Sequence, residues 1–395
     1  MPRSRGAHKS GPRRNENNRI YADPLPLLFS HPEPTRLNSI LNLLGLSTTQ
    51  VLNPHCEGYF DATTRSVWVS NQKDSLILWR RGFFGKGDLS RSEPSWLTRQ
   101  INARKSRAAG QMTSEEVTAK RREERKQFKF DRAQAMAAAA AEAEAAFAEG
   151  REVHSATSAD GTRSIPSAAT WKPQRQTSNE GPAPSEDFPD ELDEEPLEDV
   201  EHLQLTLPEA FFLLWNIDCL TVHDPNTDAP MTLQQVWNAF RNAQTHHATV
   251  SSFPPDLNRF DNPFLVNYVV YHHYRSLGWV IKGGIKFCVD YLLYKRGPVF
   301  HHAEFAIVVC PVYEDPADQE SSPYDLQNTS PFEWSWLSTI NRVNSQVQKT
   351  LILTYVTVPA QSRVAPDILS SPACFAHYSV REVVLKRFIP ARMRD

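Results

Sequence analysis

The chain lacks most of what marks a secreted or membrane protein. Its 395 residues contain five cysteines (Cys56, Cys219, Cys288, Cys310, Cys374), scattered and without a CxxC pair. An odd, dispersed set in mostly apolar surroundings argues against a disulfide framework and predicts reduced, buried thiols in an intracellular protein. His55 beside Cys56 and His377 near Cys374 supply too few ligands for a zinc site. No apolar run approaches the roughly 18 residues that span a bilayer. The basic, proline-containing start lacks the apolar segment of a secretory signal. Charge of one sign is also missing: the net charge of −3 gives no whole-chain case for nucleic acid.

What is present is unevenly spread. The extreme N-terminus is basic, as is the stretch from Arg104 to Lys126, whereas Glu186 to Glu201 is acidic. Such blocks are ordinarily solvated. The chain has 29 prolines and long polar tracts, so part of it is expected to stay disordered. The resulting division is a basic disordered tail over 1–20, an N-terminal α+β section over 21–105, a linker over 106–200 and the main domain over 201–395.

In the N-terminal section, Thr64–Ser70 reads as a short strand and Asn71–Arg81 as a helix that Gly82 would stop in a left-handed cap. Phe83–Trp96, FFGKGDLSRSEPSW, reads as a loop. Its Gly-Lys-Gly lacks the GxxxxGK[ST] spacing of a phosphate cradle. In the linker, Ser114–Gly150 predicts a solvated helix, because its alanines favour helix but provide no apolar stripe to bury. Ser155–Pro189 is polar and proline-rich and reads as disordered.

Residues 201–395 carry most of the aromatic and branched apolar residues. Thr206-Leu-Pro-Glu209 is a capping box opening a short apolar helix through Trp215. Leu233–Ala243 keeps the helical period, and Asn262-Pro263 opens a further helix ending before Gly278. Strands are expected over Phe287–Tyr294 and His302–Val309, joined by an Arg296-Gly-Pro298 turn. Ser330-Pro-Phe-Glu333 reads as a capping box for a helix through about Gln346, followed by strands over Lys349–Val358 and Val380–Ile389. Helices first, then strands crossed by one helix, define an α+β domain.

The chemistry sits in Tyr291–Phe305, YLLYKRGPVFHHAEF, and in Lys349. The carboxylates nearest Tyr294 in sequence, Asp290 and Glu304, lack the PD…(D/E)xK spacing of a metal-dependent nuclease, which remains an alternative. Metal-free RNA cleavage needs less, because the substrate's own 2′-hydroxyl is the nucleophile. Tyr294 could act as base, His302 as acid and Lys349 as charge stabiliser, each role worth about 10²–10⁴-fold. A tyrosine of ordinary pKa near 10 needs cationic company to ionise, which Lys295, Arg296 and Lys349 could supply, or it must act through its hydrogen bond alone. A histidine ordinarily titrates close to neutrality and needs no such help. Lys282, Lys286, Lys295 and Arg296 are candidates to line an RNA backbone path.

Asp290-Tyr-Leu-Leu-Tyr-Lys-Arg-Gly-Pro298, the following His302, and Lys349 at the head of an apolar run resemble the catalytic core of the tRNA-splicing endonucleases, specifically subunit 2. Phe83–Trp96 resembles that family's N-terminal segment, and the similarity covers about 205–395 besides. The resemblance implies a tRNA-intron-endonuclease-type catalytic domain in which Tyr294, His302 and Lys349 are catalytic. It also implies that Arg342 and Phe388 grip a splayed nucleotide; relatives often carry Trp where Phe388 stands. The implied activity is metal-independent, cofactor-free cleavage of precursor tRNA at the 5′ splice site, by internal transesterification to 2′,3′-cyclic phosphate and 5′-hydroxyl ends. The implied partners are precursor tRNA and three further subunits of a heterotetramer, one catalytic and two structural. Leu351–Val358 and Val383–Phe388 are expected to offer apolar edges to a partner. The implied location is the nucleus, alternatively the cytosolic face of the mitochondrial outer membrane. A non-catalytic RNA-binding subunit of the same complex is the other reading.

Overall fold

The computed structural model describes residues 12–22, 24–26, 28–30, 50–90, 92–108, 114–148, 197–243, 258–329 and 333–386. Their order is α1 (Pro12–Ile20), β1 (Leu28–Ser30), β2 (Gln50–Leu52), β3 (Cys56–Asp61), β4 (Ser66–Val69), α2 (Gln72–Arg80) and β5 (Lys86–Gly87). Helices α3 (Trp96–Ala108) and α4 (Ser114–Ala148) follow, then β6 (Leu203–Thr206), α5 (Leu207–Phe211), a π-helical turn over Phe212–Asn216, β7 (Leu220–His223), α6 (Leu233–Asn242) and α7 (Pro263–Ser276). The chain continues through β8 (Val280–Gly283), a 3₁₀ turn over Ile285–Phe287, β9 (Tyr291–Tyr294), β10 (Phe305–Tyr313), α8 (Pro316–Glu320), α9 (Trp334–Gln346), β11 (Thr350–Val358) and β12 (Ser379–Leu385).

The described residues of Trp96–Val200 form a compact unit of their own, and those of Met1–Ser95 and Glu201–Asp395 form another. In the first, α4 has no fully buried described side chain, as its composition requires. Ser155–Pro189 lies outside the described residues.

The larger unit differs from the expected division. Residues 21–105 and 201–395 do not fold as separate sections, because one sheet of order β5-β6-β4-β3-β7 takes strands from both. β4 pairs antiparallel with β6 and β3 pairs parallel with β7. Such pairings link residues far apart in sequence and leave no local pattern to read. Residues 12–20, expected as disordered tail, form α1.

A second sheet has the order β12-β11-β10-β9-β8. Its β10–β11 pair is parallel and its other pairs are antiparallel. One apolar core joins the two sheets, running from Val67 and Leu205 through Phe211 and Tyr268 to Ile307 and Ile352. A second cluster covers the opposite face of the second sheet, where Leu292, Ala306, Val308, Leu351 and Leu353 meet Ile340 of α9. The molecule is therefore α+β.

Local signals explain many of the elements. Thr206 and Glu209 exchange hydrogen bonds as a capping box, Thr232 and Gln235 form another, and the Asn262 side chain accepts from the Phe264 N–H. Several elements differ from expectation: the strand expected over Phe287–Tyr294 is confined to Tyr291–Tyr294. α2 ends without Gly82 in the left-handed region; Phe83 takes that conformation instead, at φ 57°, because its ring is drawn into the core. α9 starts at Trp334, with Glu333 as N-cap and no side-chain cap bond, and Ser330 lies outside the described residues. Strand β8, with a lysine and a glycine in four residues, was not expected. Four cysteines are buried as anticipated, but Cys288 is exposed in a left-handed turn at φ 55°.

Candidate active site

The second sheet brings distant sequence segments to one end. β9 and β10 are antiparallel and β10 and β11 parallel, so the C-terminal end of β9 meets the N-terminal ends of β10 and β11. Glu304 shows this directly. Its N–H donates to the Leu293 carbonyl at 3.0 Å, and its carbonyl accepts from the Thr350 N–H at 3.0 Å. One residue thus ties the position before Tyr294 to the position after Lys349. With neighbouring strands about 4.8 Å apart, the backbones of Tyr294 and Lys349 lie on the order of 10 Å apart across the end of β10.

Two of the three expected catalytic side chains share a face. Tyr294 is half-buried and packs against the cluster under α9. Lys349 stands two residues before Leu351 of that cluster, on the same side by strand alternation. Its side chain is almost buried, with the ammonium 4.6 Å from the centroid of the Phe287 ring, a cation–π contact. The approach to Lys349 is set by the end of α9. Gln348 turns into the left-handed region at φ 59°, and the Lys349 N–H donates to the Asn344 carbonyl at 3.0 Å. Asn344, itself buried, donates from Nδ2 to the Phe287 carbonyl at 3.3 Å.

His302 is at the same end but not on a strand. β10 begins at Phe305, and the segment between is a loop turned by Gly297 at φ 116°. The carbonyl of Gly297 accepts from the N–H groups of Phe300 and His301. This local turn consumes the residues that alternation alone would assign to strand. The imidazole of His302 is exposed.

The structure corrects the expected electrostatics of the tyrosine. Burial pushes the Tyr294 hydroxyl above the ordinary tyrosine range. The proposed cationic company does not reverse this, and two of its members, Arg296 and Lys349, are turned to other partners. Arg296 stacks 4.3 Å over the Phe300 ring and donates to Asn18 Oδ1 at 3.1 Å. Lys349 lies over Phe287.

Lys295 and Arg296 line a cavity of about 500 Å³ with Tyr21, Phe83 and Phe300. Lys282 is no backbone-path residue: its Nζ donates to the Gly85 carbonyl at 2.6 Å, pairs with Glu209 at 3.5 Å and lies 4.8 Å over Trp79. Burial pulls its pKa down to about 8. Gly85 of the Gly-Lys-Gly run also donates its N–H to Glu209 at 3.1 Å, a structural contact. Asp290 accepts from the Val309 N–H at 2.8 Å. Arg342 is exposed on α9, and Phe388 lies outside the described residues. Sequence reasoning missed Phe287, Glu304 and the ring of Phe83; only the aromatic character of the first and last was visible, with nothing to mark their partners.

The family model described as tRNA intron endonuclease, catalytic C-terminal domain, matches residues 264–364, the segment that carries the end-of-sheet tyrosine and lysine with the histidine loop between them. Similarity to individual proteins reaches much further along the chain. It is 33% identical to the probable tRNA-splicing endonuclease subunit sen2 of Schizosaccharomyces pombe, over 96% of this chain and 100% of that protein. It is 30% identical to the tRNA-splicing endonuclease subunit SEN2 of Saccharomyces cerevisiae, over 96% of this chain and 98% of that one. The Sen2 subunit of Mus musculus matches at 32% identity over 49% of this chain and 36% of its own length. The chain belongs to the tRNA-splicing endonuclease subunit SEN2 family. The similarity expected over 205–395 and Phe83–Trp96 thus extends over nearly all of it.

Proposed function

We propose that this chain is the subunit that cuts precursor tRNA at the 5′ splice site, without a metal, by attack of the upstream 2′-hydroxyl on the adjacent phosphate. Tyr294 takes the proton of that hydroxyl, Lys349 steadies the extra negative charge on the five-coordinate phosphorus, and His302 gives a proton to the departing 5′-oxygen. The bond broken is P–O5′ and the bond formed is P–O2′, leaving a 2′,3′-cyclic phosphate and a 5′-hydroxyl. The raised pKa of Tyr294 makes its phenolate scarce at neutral pH but a stronger base when present. Arg342 and Phe388 are the candidates to grip the splayed nucleotide, by stacking worth about 1–3 kcal/mol.

The observation that carries this reading is the double backbone tie through Glu304, which joins the flanks of Tyr294 and Lys349 two residues beyond His302. The chain works with one further catalytic and two structural subunits, in the nucleus or on the mitochondrial surface. The partner edge is now narrower than the sequence suggested. Among the described residues β11 is flanked by β10 and β12, so β12, with Val383 and Val384 exposed, is the edge on that side. The test is cleavage by the reconstituted complex in EDTA, followed by end-group analysis. Cyclic-phosphate ends that persist in EDTA and vanish with His302→Ala support the proposal. Loss of cleavage in EDTA, or full 5′-site cleavage by His302→Ala, refutes it.

A further inference from the structure

The turn between Tyr294 and His302 is held by aromatic rings from the first ninety residues of the chain, outside the matched catalytic domain. A Cβ placed on Gly297 would sit 2.3 Å from Cε2 of Phe83, so the Phe83 ring lies directly against the backbone of the turn. Phe83 is buried, and its ring stacks with Tyr21 at 5.0 Å and 19°. Both rings meet Phe300 edge-on, Tyr21 at 5.8 Å and Phe83 at 6.4 Å. Phe300 stands two residues before His302, and its other contact is the guanidinium of Arg296. Tyr21 is in turn fixed by its hydroxyl, which donates to Glu93 at 3.2 Å, and Glu93 is paired with Arg80 at 3.0 Å. Tyr294 packs against the same small cluster, with Trp79, Phe83 and Val280.

The loop that carries His302 has no strand ladder of its own before Glu304. Ala303, beside His302, is buried in the cluster with Leu292 and Ala306, and the stretch before it is held by the packing of Gly297 and Phe300. That packing is supplied from outside the catalytic domain.

We propose that Tyr21 and Phe83 are positioning residues for cleavage: through Gly297 and Phe300 they hold the His302 loop in register with Tyr294. This rests on the acid role given to His302 above. A ring lost from the stack lets the loop move, and a displacement of about 1 Å at a reacting group slows a reaction roughly 10²-fold. The effect should fall on proton delivery to the leaving group and leave RNA binding unchanged.

The test uses the reconstituted complex and two substrates, natural precursor tRNA and the same RNA with sulfur replacing the bridging 5′-oxygen at the 5′ splice site. A thiolate departs without a proton, so a defect in acid delivery disappears on the second substrate, whereas a general structural defect persists. Tyr21→Ala and Phe83→Leu are expected to slow single-turnover cleavage of the natural RNA about 10²-fold at unchanged Kd, and to approach the wild-type rate on the sulfur substrate. Tyr21→Phe, which keeps the ring, should stay near wild type on both.

His302→Ala is the gauge. If it recovers on sulfur while Tyr21→Ala does not, or if Tyr21→Ala never slows the natural substrate, the positioning role is overturned alone. If His302→Ala is equally slow on both substrates, the acid assignment fails and the inference goes with it. Should Phe83→Leu not assemble, Tyr21→Ala at the half-exposed end of the stack carries the same test.

Discussion

Gly297→Ala is the substitution for which the structure gives the sharpest expectation. Two penalties act on the new methyl group. The backbone at φ 116° is a region L-residues rarely adopt, at about 1–3 kcal/mol. The methyl also falls 2.3 Å from the Phe83 ring, an overpacking worth about 1–3 kcal/mol. Held rigid, the site would lose on the order of 2–6 kcal/mol by adding these two ranges. The relief available is lopsided. Phe83 is buried among Trp79 and Val280, whereas the loop through His301 and His302 is exposed. The loop should therefore yield, capping the stability loss at about 1–3 kcal/mol, the backbone penalty alone. Cleavage should fall about 10²-fold as His302 moves with the loop. Denaturant unfolding of the complex and single-turnover cleavage measure the two effects side by side. A variant with wild-type rate and wild-type stability would refute the contact between Phe83 and the turn.

Two further expectations follow from the same packing. Phe287→Leu removes the ring beneath the Lys349 ammonium, worth about 0.5–2 kcal/mol, and should slow 5′-site cleavage by about 2- to 30-fold with little change in RNA affinity; an unchanged rate would show that the ring does not orient the lysine. The fold should also lose stability in alkali. Burial raises the hydroxyls of Tyr268, Tyr274 and Tyr291, and Tyr313 rises to about 12 from an ordinary 10.0. The unfolded chain therefore gives up these protons first, so stability is whole below pH 10 and falls as pH rises toward 12. Tyrosinate absorbance rising together with loss of ellipticity would bear this out; ionisation with the fold intact would contradict it.

The parts of this molecule that were legible in its sequence are those fixed by near neighbours. Thr206 and Glu209 announce a helix start because they satisfy each other's backbone donors, and Asn262-Pro263 does the same with one side chain and a preset φ. The alternation around Tyr291–Tyr294 and the apolar run after Lys349 mark strands that are buried on both faces. What could not be read depends on pairings between distant segments. Nothing in Cys56–Asp61 or Leu203–Thr206 says that they share a sheet. The environment of Tyr294 is likewise collective. Cations adjacent in sequence could help the hydroxyl ionise, with action through its hydrogen bond alone as the alternative, but Arg296 is turned to Phe300 and Asn18, and burial decides the sign. His302 was misplaced onto a strand because the Gly297 turn is longer than its Arg-Gly-Pro core.

The central claim is that the ribose itself supplies the nucleophile to a phosphate held between Tyr294 and Lys349. A precursor tRNA with a single 2′-deoxy nucleotide immediately upstream of the 5′ splice site tests it most directly, with competition binding to confirm that it still occupies the complex. The account predicts that this junction stays intact while the RNA binds as tightly as the natural substrate. Cleavage of the deoxy junction at the ordinary rate would contradict it.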